Sequence, residues 1–279
     1  MNRVELQHGA ATDVGLVRAV NEDAFLVDPP VFVVADGMGG HDRGDVASAW
    51  TVEELARLSD RDYDLTDGTS AVDAALRAAQ ERLLAYDEEQ RAAGADDSFA
   101  AGTTVVLALL VQASEGPHWL LANVGDSRVY RMDQGALEQV SVDHSLVQEL
   151  VDAGRLSPDA AAVHPSRHVV TRAIGGAAMP TPVSGAADYY LLPLAAAERL
   201  LLCSDGVSGM VDDVTIAALL AEHDDPRDAA DALVAAAVAA GGHDNATAVV
   251  VDVVGLANED PYDSHAQRLS LEQKLGALP

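Results

Sequence analysis

Six acidic residues of this chain occupy one kind of position. Asp36 follows the apolar run "VFVVA", Asp126 follows "LLANVG" and Asp205 follows "LLLCS". Asp244, in "GGHDN", sits just before "ATAVVV", and Glu22 and Asp23, in "VNED", sit just before "AFLV". Strand ends and their loops are where a sheet presents functional groups. A single Asp beside Gly is ordinarily a turn former, but the same placement at five separate sites calls for another explanation. Carboxylates that converge cannot all stay ionised without a compensating charge, because each raises the pKa of the others. Divalent cations supply that charge, and an all-oxygen donor set suits Mg²⁺ or Mn²⁺ rather than zinc. Two such ions about 3.5–4 Å apart form an arrangement used for phosphoryl hydrolysis, in which they acidify a water and steady the phosphoryl oxygens. A phosphate also needs a permanently charged planar clamp. Arg18, three residues before Asn21-Glu22-Asp23, has the right chemistry for it.

The elements that must position these residues follow from hydrophobic patterning. Strand-like apolar runs fall at 24–27, 31–35, 103–111, 118–124, 127–132, 199–204 and 246–254, mostly bounded by Gly, Asp, Asn or Pro. Helical spacing places Val72, Leu76, Ala79, Leu83 and Tyr86 on one face of 71–87, and Ala230, Leu233, Val234, Ala237 and Val238 on one face of 227–240. Further helices are expected over about 45–58, capped by Gly44 or Asp45, and over 144–154, ending at Gly154. Runs 103–111, 118–124 and 127–132 are separated by short turns, which predicts consecutive antiparallel hairpins. The expectation is an α+β protein with antiparallel sheets covered by helices. Residues 1–254 would form one domain, and 255–279 a polar C-terminal tail or a short docked helix using Leu271, Leu275 and Leu278.

Composition narrows the partners. The 279 residues carry 45 acids against 17 bases, a formal net charge of -28, which repels nucleic acid and anionic lipid. The lone cysteine, Cys203 in "RLLLCSD", excludes an internal disulfide and reads as a buried, inert thiol. No apolar run approaches the roughly 20 residues of a membrane span, and the N-terminus has no apolar signal core. A cytoplasmic monomer is expected. The glycines of "DGMGGH" lack both the Gly-x-Gly-x-x-Gly order and the lysine of a nucleotide-phosphate loop.

The segments "RAVNED", "VVADGMGGH", "AGTT", "NVGDSR", "VDHS", "CSDG" and "GGHDN" resemble, in order, those of the metal-dependent protein phosphatases (PPM, type 2C), most closely the bacterial Ser/Thr branch. The resemblance covers about residues 8–254. It implies a β-sandwich of two antiparallel sheets flanked by α-helices, and hydrolysis of protein phosphoserine and phosphothreonine by in-line attack of a metal-bridging hydroxide. It also implies two Mn²⁺ or Mg²⁺ ions, with a third in many bacterial members. Carried over by position, Asp36 would bridge two metals, the Gly37 carbonyl would ligate one, and Asp205 and Asp244 would hold the first. Glu22 would serve the second metal, with Asp23 supporting it from behind, and Asp126 with Asp205 would form the third site. Arg18 would bind the substrate phosphate, and 144–168 would be a mobile flap. Asn245 is expected to fix its turn, and His168 to be solvated beside the third site. Some members place a general-acid His where this chain has Met38. Protonation of the leaving oxygen is therefore expected from water, with His41 the other candidate. The implied partners are phosphorylated proteins, targets of a Ser/Thr kinase. The alternative is a non-catalytic, phosphatase-like module that binds a partner. The acidic surface by itself favours phosphosites with basic flanks.

Overall fold

The computed structural model describes residues 3–38, 43–176 and 187–257. Two sheets lie face to face. The five-stranded sheet runs β1 (Arg3–Asp13), β13 (Ala246–Ala257), β12 (Arg199–Cys203), β8 (Arg128–Asp133) and β9 (Ala136–Gln139), all antiparallel. The second sheet orders β10 (Ile174–Gly175), β5 (Gly102–Thr103), β3 (Val31–Met38), β6 (Val105–Ala113), β7 (Gly116–Val124) and β11 (Asp188–Pro193). In addition β2 (Asp23–Asp28) pairs with β3, and the short β4 (Tyr63–Asp64) runs parallel to β6. Helices α1 (Gly44–Ala56) and α2 (Leu65–Ala92) cover this sheet, while α5 (Asp205–Ser208), α6 (Asp213–Glu222) and α7 (Pro226–Ala239) cover the other. Between β9 and β10 lie α3 (Leu146–Asp152) and α4 (Pro158–Ala162).

Strand parity explains why the strands read as unbroken apolar runs. On β3, Val31, Val33 and Ala35 pack toward the helices, while Phe32 and Val34 face the opposite sheet. On β12, Leu201 and Cys203 face the helices, and Leu200 and Leu202 face inward. Both faces of each central strand are buried, so polar residues have no place until the strand ends. The helical faces predicted from spacing are those that are buried: Val72, Leu76, Ala79 and Leu83 on α2, and Ala230, Leu233, Val234 and Ala237 on α7.

Several expectations are corrected. The run at 127–132 does not form a hairpin with 118–124. Its strand β8 lies in the other sheet, because the turn at Gly125 (φ +113°) carries the chain across the sandwich. Strand β1 was not foreseen, and its pairing Arg3↔Ala257, Val4↔Leu256 and Glu5↔Gly255 extends β13 past the expected end at Val254. Neither Gly44 nor Asp45 caps α1. The cap position is Arg43 in the left-handed region (φ +67°), and Asp45 sits in the first turn, 2.9 Å from the Arg43 guanidinium. Gly154 (φ +66°) does follow α3 as a left-handed stop. Gly39, Gly40, His41 and the tail from residue 258 lie outside the described residues. Among those described, no helix is long and apolar enough to cross a membrane.

Phe32 lies at the centre of the sandwich, fully buried and edge-on to Trp119 at 6.1 Å between ring centroids. Phe32→Ala should cost about 3–5 kcal/mol of unfolding free energy, measured by equilibrium urea denaturation.

Candidate metal and phosphate site

Where the inter-sheet core reaches one end of the sandwich, the inward strand positions turn polar. Asp36 follows Phe32 and Val34 on β3, Ser204 follows Leu200 and Leu202 on β12, and Thr247 precedes Val249 and Val251 on β13. Asp23 stands opposite Asp36 in the β2–β3 register. Its Oδ2 accepts hydrogen bonds from Ser204 Oγ (2.8 Å) and Thr247 Oγ1 (2.6 Å), which ties the two sheets together. Its Oδ1 is buried with no hydrogen-bond partner.

The backbone of Asp36 is fixed from two sides. Its N–H donates to Thr104 Oγ1 (3.2 Å), and its carbonyl accepts from Thr104 N (2.9 Å) and Thr103 Oγ1 (2.9 Å). Gly37 is required by close approach, because a Cβ there would collide with the carbonyl oxygens of Glu22 and Gly44. Its N–H donates to Glu22 O at 3.1 Å, so β3 and the start of α1 lock Glu22 alongside Asp36. Asn245 reaches across to the connection between β1 and β2. Its Oδ1 accepts from Glu22 N (2.9 Å), and its Nδ2 donates to the carbonyls of Val14 and Val20 (3.0 Å each). Asp126 is held through its neighbour: Gly125 N–H donates to His144 Nδ1 (3.1 Å), and Gly125 O accepts from His144 N (2.8 Å). The imidazole in turn meets Asp188 at 3.1 Å, which anchors the root of the 144–172 segment to the Asp126 loop.

These elements bring Arg18, Glu22, Asp36, Gly37, Asp126, Asp205 and Asp244 to the lining of one cavity of about 520 Å³. Met38, Arg167, His168, Val170, Met210 and His243 complete much of its wall. Arg18 Nη2 lies 2.7 Å from Asp244 Oδ2. His168 is largely exposed, with Nδ1 3.8 Å from Asp205 Oδ2, and this carboxylate is the main cause of its raised pKa. A cavity of similar size at the other end of β12 is lined by Glu198, Arg199 and Asp252. There Arg199 is paired with Asp252 at 2.6 Å and Glu198 with Arg131 at 2.7 Å.

Electrostatics distinguish the two cavities. Loss of hydration and then the charges of Asp23, Asp205, Asp126 and Asp244 push Asp36 well above the ordinary carboxylate range. Burial, followed by Asp205 and Asp143, lifts Asp126 to about 7. Burial also raises Asp23, against its two hydroxyl donors, and raises Glu22 despite Arg18. Such a group of acids is short of positive charge, and hard divalent cations answer that lack. No three His, Cys, Asp or Glu side chains among the described residues are gathered tightly enough to hold an ion unaided. Mg²⁺-like ions keep several waters of their own, so these acids need not close directly around an ion. The residues therefore fit such ions, with the orphaned Asp23 Oδ1 and the mutually raised acids as the observations that say so.

Sequence reasoning missed Ser204, Thr247 and Thr104, which hold the acids, and Arg167, Met210 and His243 in the wall. The hydroxyls had a signal, since they interrupt apolar strands at inward positions. Arg167 and Met210 lie in irregular segments and had none.

A family model for protein phosphatase 2C matches residues 17–248. The serine/threonine protein phosphatase PstP of Mycobacterium tuberculosis is 37% identical over 249 residues. That alignment covers 89% of this chain, which spans only 45% of the relative's length. The serine/threonine phosphatase stp of Listeria monocytogenes is 34% identical over 254 residues, covering 86% of this chain and 93% of the relative. Among solved structures, the M. tuberculosis phosphatase PstP/Ppp superposes with a TM-score of 0.80 at 35% identity, over 91% of this chain and 100% of that one. The PstP catalytic domain in complex with two manganese ions does so with a TM-score of 0.78 at 34% identity, over the same shares of the two chains.

A carboxyl whose pKa is higher in the fold than in the unfolded chain stabilises the fold fully below its unfolded pKa of about 4. That contribution disappears as the pH rises through the folded value, about 7 for Asp126. In chelator, the melting temperature should therefore fall between about pH 4 and 7, and Asp126→Asn should reduce that fall in a thermal-shift series.

Proposed function

Because this chain belongs to the protein phosphatase 2C family, we propose that it is a Mn²⁺- or Mg²⁺-dependent protein serine/threonine phosphatase. The observation that carries this reading is the convergence of Arg18 with Glu22, Asp36, Asp126, Asp205 and Asp244 on one cavity. Asp205 and Asp244 would serve a first ion, partly through its own waters, and Asp36 would be shared between it and a second that Glu22 serves, with the Gly37 carbonyl a ligand of one of the two. Asp126 with Asp205 would hold a third, and Asp23 supports the set from behind. Bound there, the cations would let these carboxylates stay ionised, polarise a phosphoryl oxygen and bring a water's pKa toward neutrality.

The chain's own residues bind and orient the substrate. The Arg18 guanidinium keeps donors beyond the one used on Asp244, enough to hold a phosphate through charge-assisted hydrogen bonds. Asn245 holds the turn that carries Arg18 and donates nothing into the cavity. Met38 lines the cavity and has no proton to give; water is the proton source this reading favours for the leaving alkoxide, with His41 the other candidate. A cysteinyl-phosphate route is closed: Cys203 is fully buried, and burial pushes its thiol up to about 12. Phosphorylated proteins are the substrates this reading implies, with a Ser/Thr kinase acting in opposition.

A phosphothreonine peptide should be hydrolysed with Mn²⁺ and not in chelator, and Asp205→Asn should reduce kcat by about 100-fold or more. Turnover without metal, or an Asp205→Asn variant indistinguishable from wild type, would sink the proposal. Retained Mn²⁺ binding with no turnover of any phosphoester would instead fit the non-catalytic module. Arg18→Ala should lower kcat/KM by about 10–100-fold, the worth of one charge-assisted clamp of about 1.5–3 kcal/mol.

A further inference from the structure

The turn that brings Arg18 to this acidic cavity carries an apolar collar beside it. In the turn between β1 and β2, Leu16 is 70% exposed, Val17 64% and Val20 57%, and all three lie within two residues of Arg18. Single exposed aliphatics are ordinary, but three in five residues on a tethered turn are not. Leu16 N–H donates to Gly242 O at 2.7 Å, Gly15 N–H to Asp13 Oδ1 at 2.7 Å, and Asn245 holds both Val14 O and Val20 O. These bonds hold the backbone of the turn in place with the three aliphatic side chains exposed. The turn is joined to the cavity wall through Gly241 and Gly242. A Cβ on Gly242 would stand 3.0 Å from Leu16 Cγ, and one on Gly241 would stand 3.0 Å from His243 Nε2 and 3.4 Å from Met210 Cε. Two bare glycines thus lie between Leu16 on the turn and His243 and Met210 in the cavity wall.

We propose that this collar docks the polypeptide on either side of the phosphoresidue, and that it selects serine and threonine phosphosites flanked by aliphatic side chains. The inference rests on the phosphatase reading of the same cavity. Once Arg18 holds the phosphate, the neighbouring substrate residues, about 3.3 Å apart in an extended chain, fall within reach of Val17, Leu16 and Val20. Burying an aliphatic flank there removes apolar area from water on both sides. The collar is continuous with the cavity the substrate must enter, which favours the substrate chain as occupant. An anionic membrane is disfavoured by the net charge of -28. The general acidity of the surface had pointed to basic flanks. That diffuse charge acts at a distance and is screened by salt, whereas the docked flanks touch the aliphatic residues next to Arg18, and contact decides the preference.

The test compares three phosphothreonine peptides of equal length, with leucine, serine or arginine on both sides of the phosphoresidue. Each is assayed with Mn²⁺ against wild type, Leu16→Ser/Val17→Ser and Val20→Ser, with a small aryl phosphate as the reference for the cavity alone. Wild type should favour the leucine-flanked peptide over the serine-flanked one by about tenfold in kcat/KM. In the double variant that ratio should fall to within about twofold of unity, with aryl phosphate turnover and melting temperature unchanged; Val20→Ser should reduce the ratio less. Equal use of the peptides, preference for arginine flanks, or a leucine preference that survives the double variant overturns the inference. So does a wild type that elutes as a dimer, becomes monomeric in the double variant and keeps its peptide ratio, since the collar would then join two copies. In each of those cases turnover of aryl phosphate leaves the phosphatase reading standing. Failure to hydrolyse aryl phosphate and every peptide overturns both.

Discussion

One buried carboxylate joins the two halves of this molecule. Asp23 belongs to the larger sheet, and the hydroxyls that satisfy its Oδ2, from Ser204 and Thr247, belong to the smaller one. Removing a carboxylate from water is costly unless hydrogen bonds replace its hydration, and here the replacements come from across the sandwich. Asp36 on the paired strand, Asp205 one residue after Ser204, and Asp244 three residues before Thr247 are placed by the same junction. The geometry of the acidic cavity is therefore inseparable from the packing of sheet on sheet. A change that let the sheets slide would misplace the acids before it exposed the core.

The acids are concentrated against their own repulsion, and the rest of the site responds to that strain. Arg18 sits on Asp244, Glu22 is held by Gly37 and Asn245, and the Asp126 loop is braced by His144 from the segment that forms one wall. None of these contacts neutralises Asp36 itself, whose pKa stays raised by four neighbouring carboxylates after burial. The fold thus keeps a surplus of negative charge in place with backbone hydrogen bonds and tight glycine contacts. The proposed cations would relieve that surplus.

Much of this was legible in the sequence, for identifiable reasons. The faces of α2 and α7 follow from helical period alone, and the site acids could be found because each interrupts or borders an apolar strand. Strand β1 could not be read from "RVELQHGAATD", whose mixed composition becomes a strand only through its pairing with β13. The three-residue step from β7 to β8 looked like a hairpin because turn length does not reveal which sheet receives the next strand. From the sequence, Gly37 reads only as the source of a ligating carbonyl. Its stricter cause, the approach of Glu22 and Gly44, is a tertiary contact with no local trace. Hydroxyls such as Ser204 and Thr247 are common enough in strands that only their shared inward parity sets them apart.

The two-sided burial of the central strands bears on how such a chain can change over generations. On β3 and β12, odd and even positions belong to different compartments, one under the helices and one between the sheets. Inserting or deleting one residue in either strand would exchange those compartments and turn the terminal acid from the cavity to the wrong side. Length variation is thus confined to the connections, while substitution within one compartment leaves the other's packing intact. Lineages of this fold can renew their helical coats freely, but the spacing along these strands has to be inherited whole.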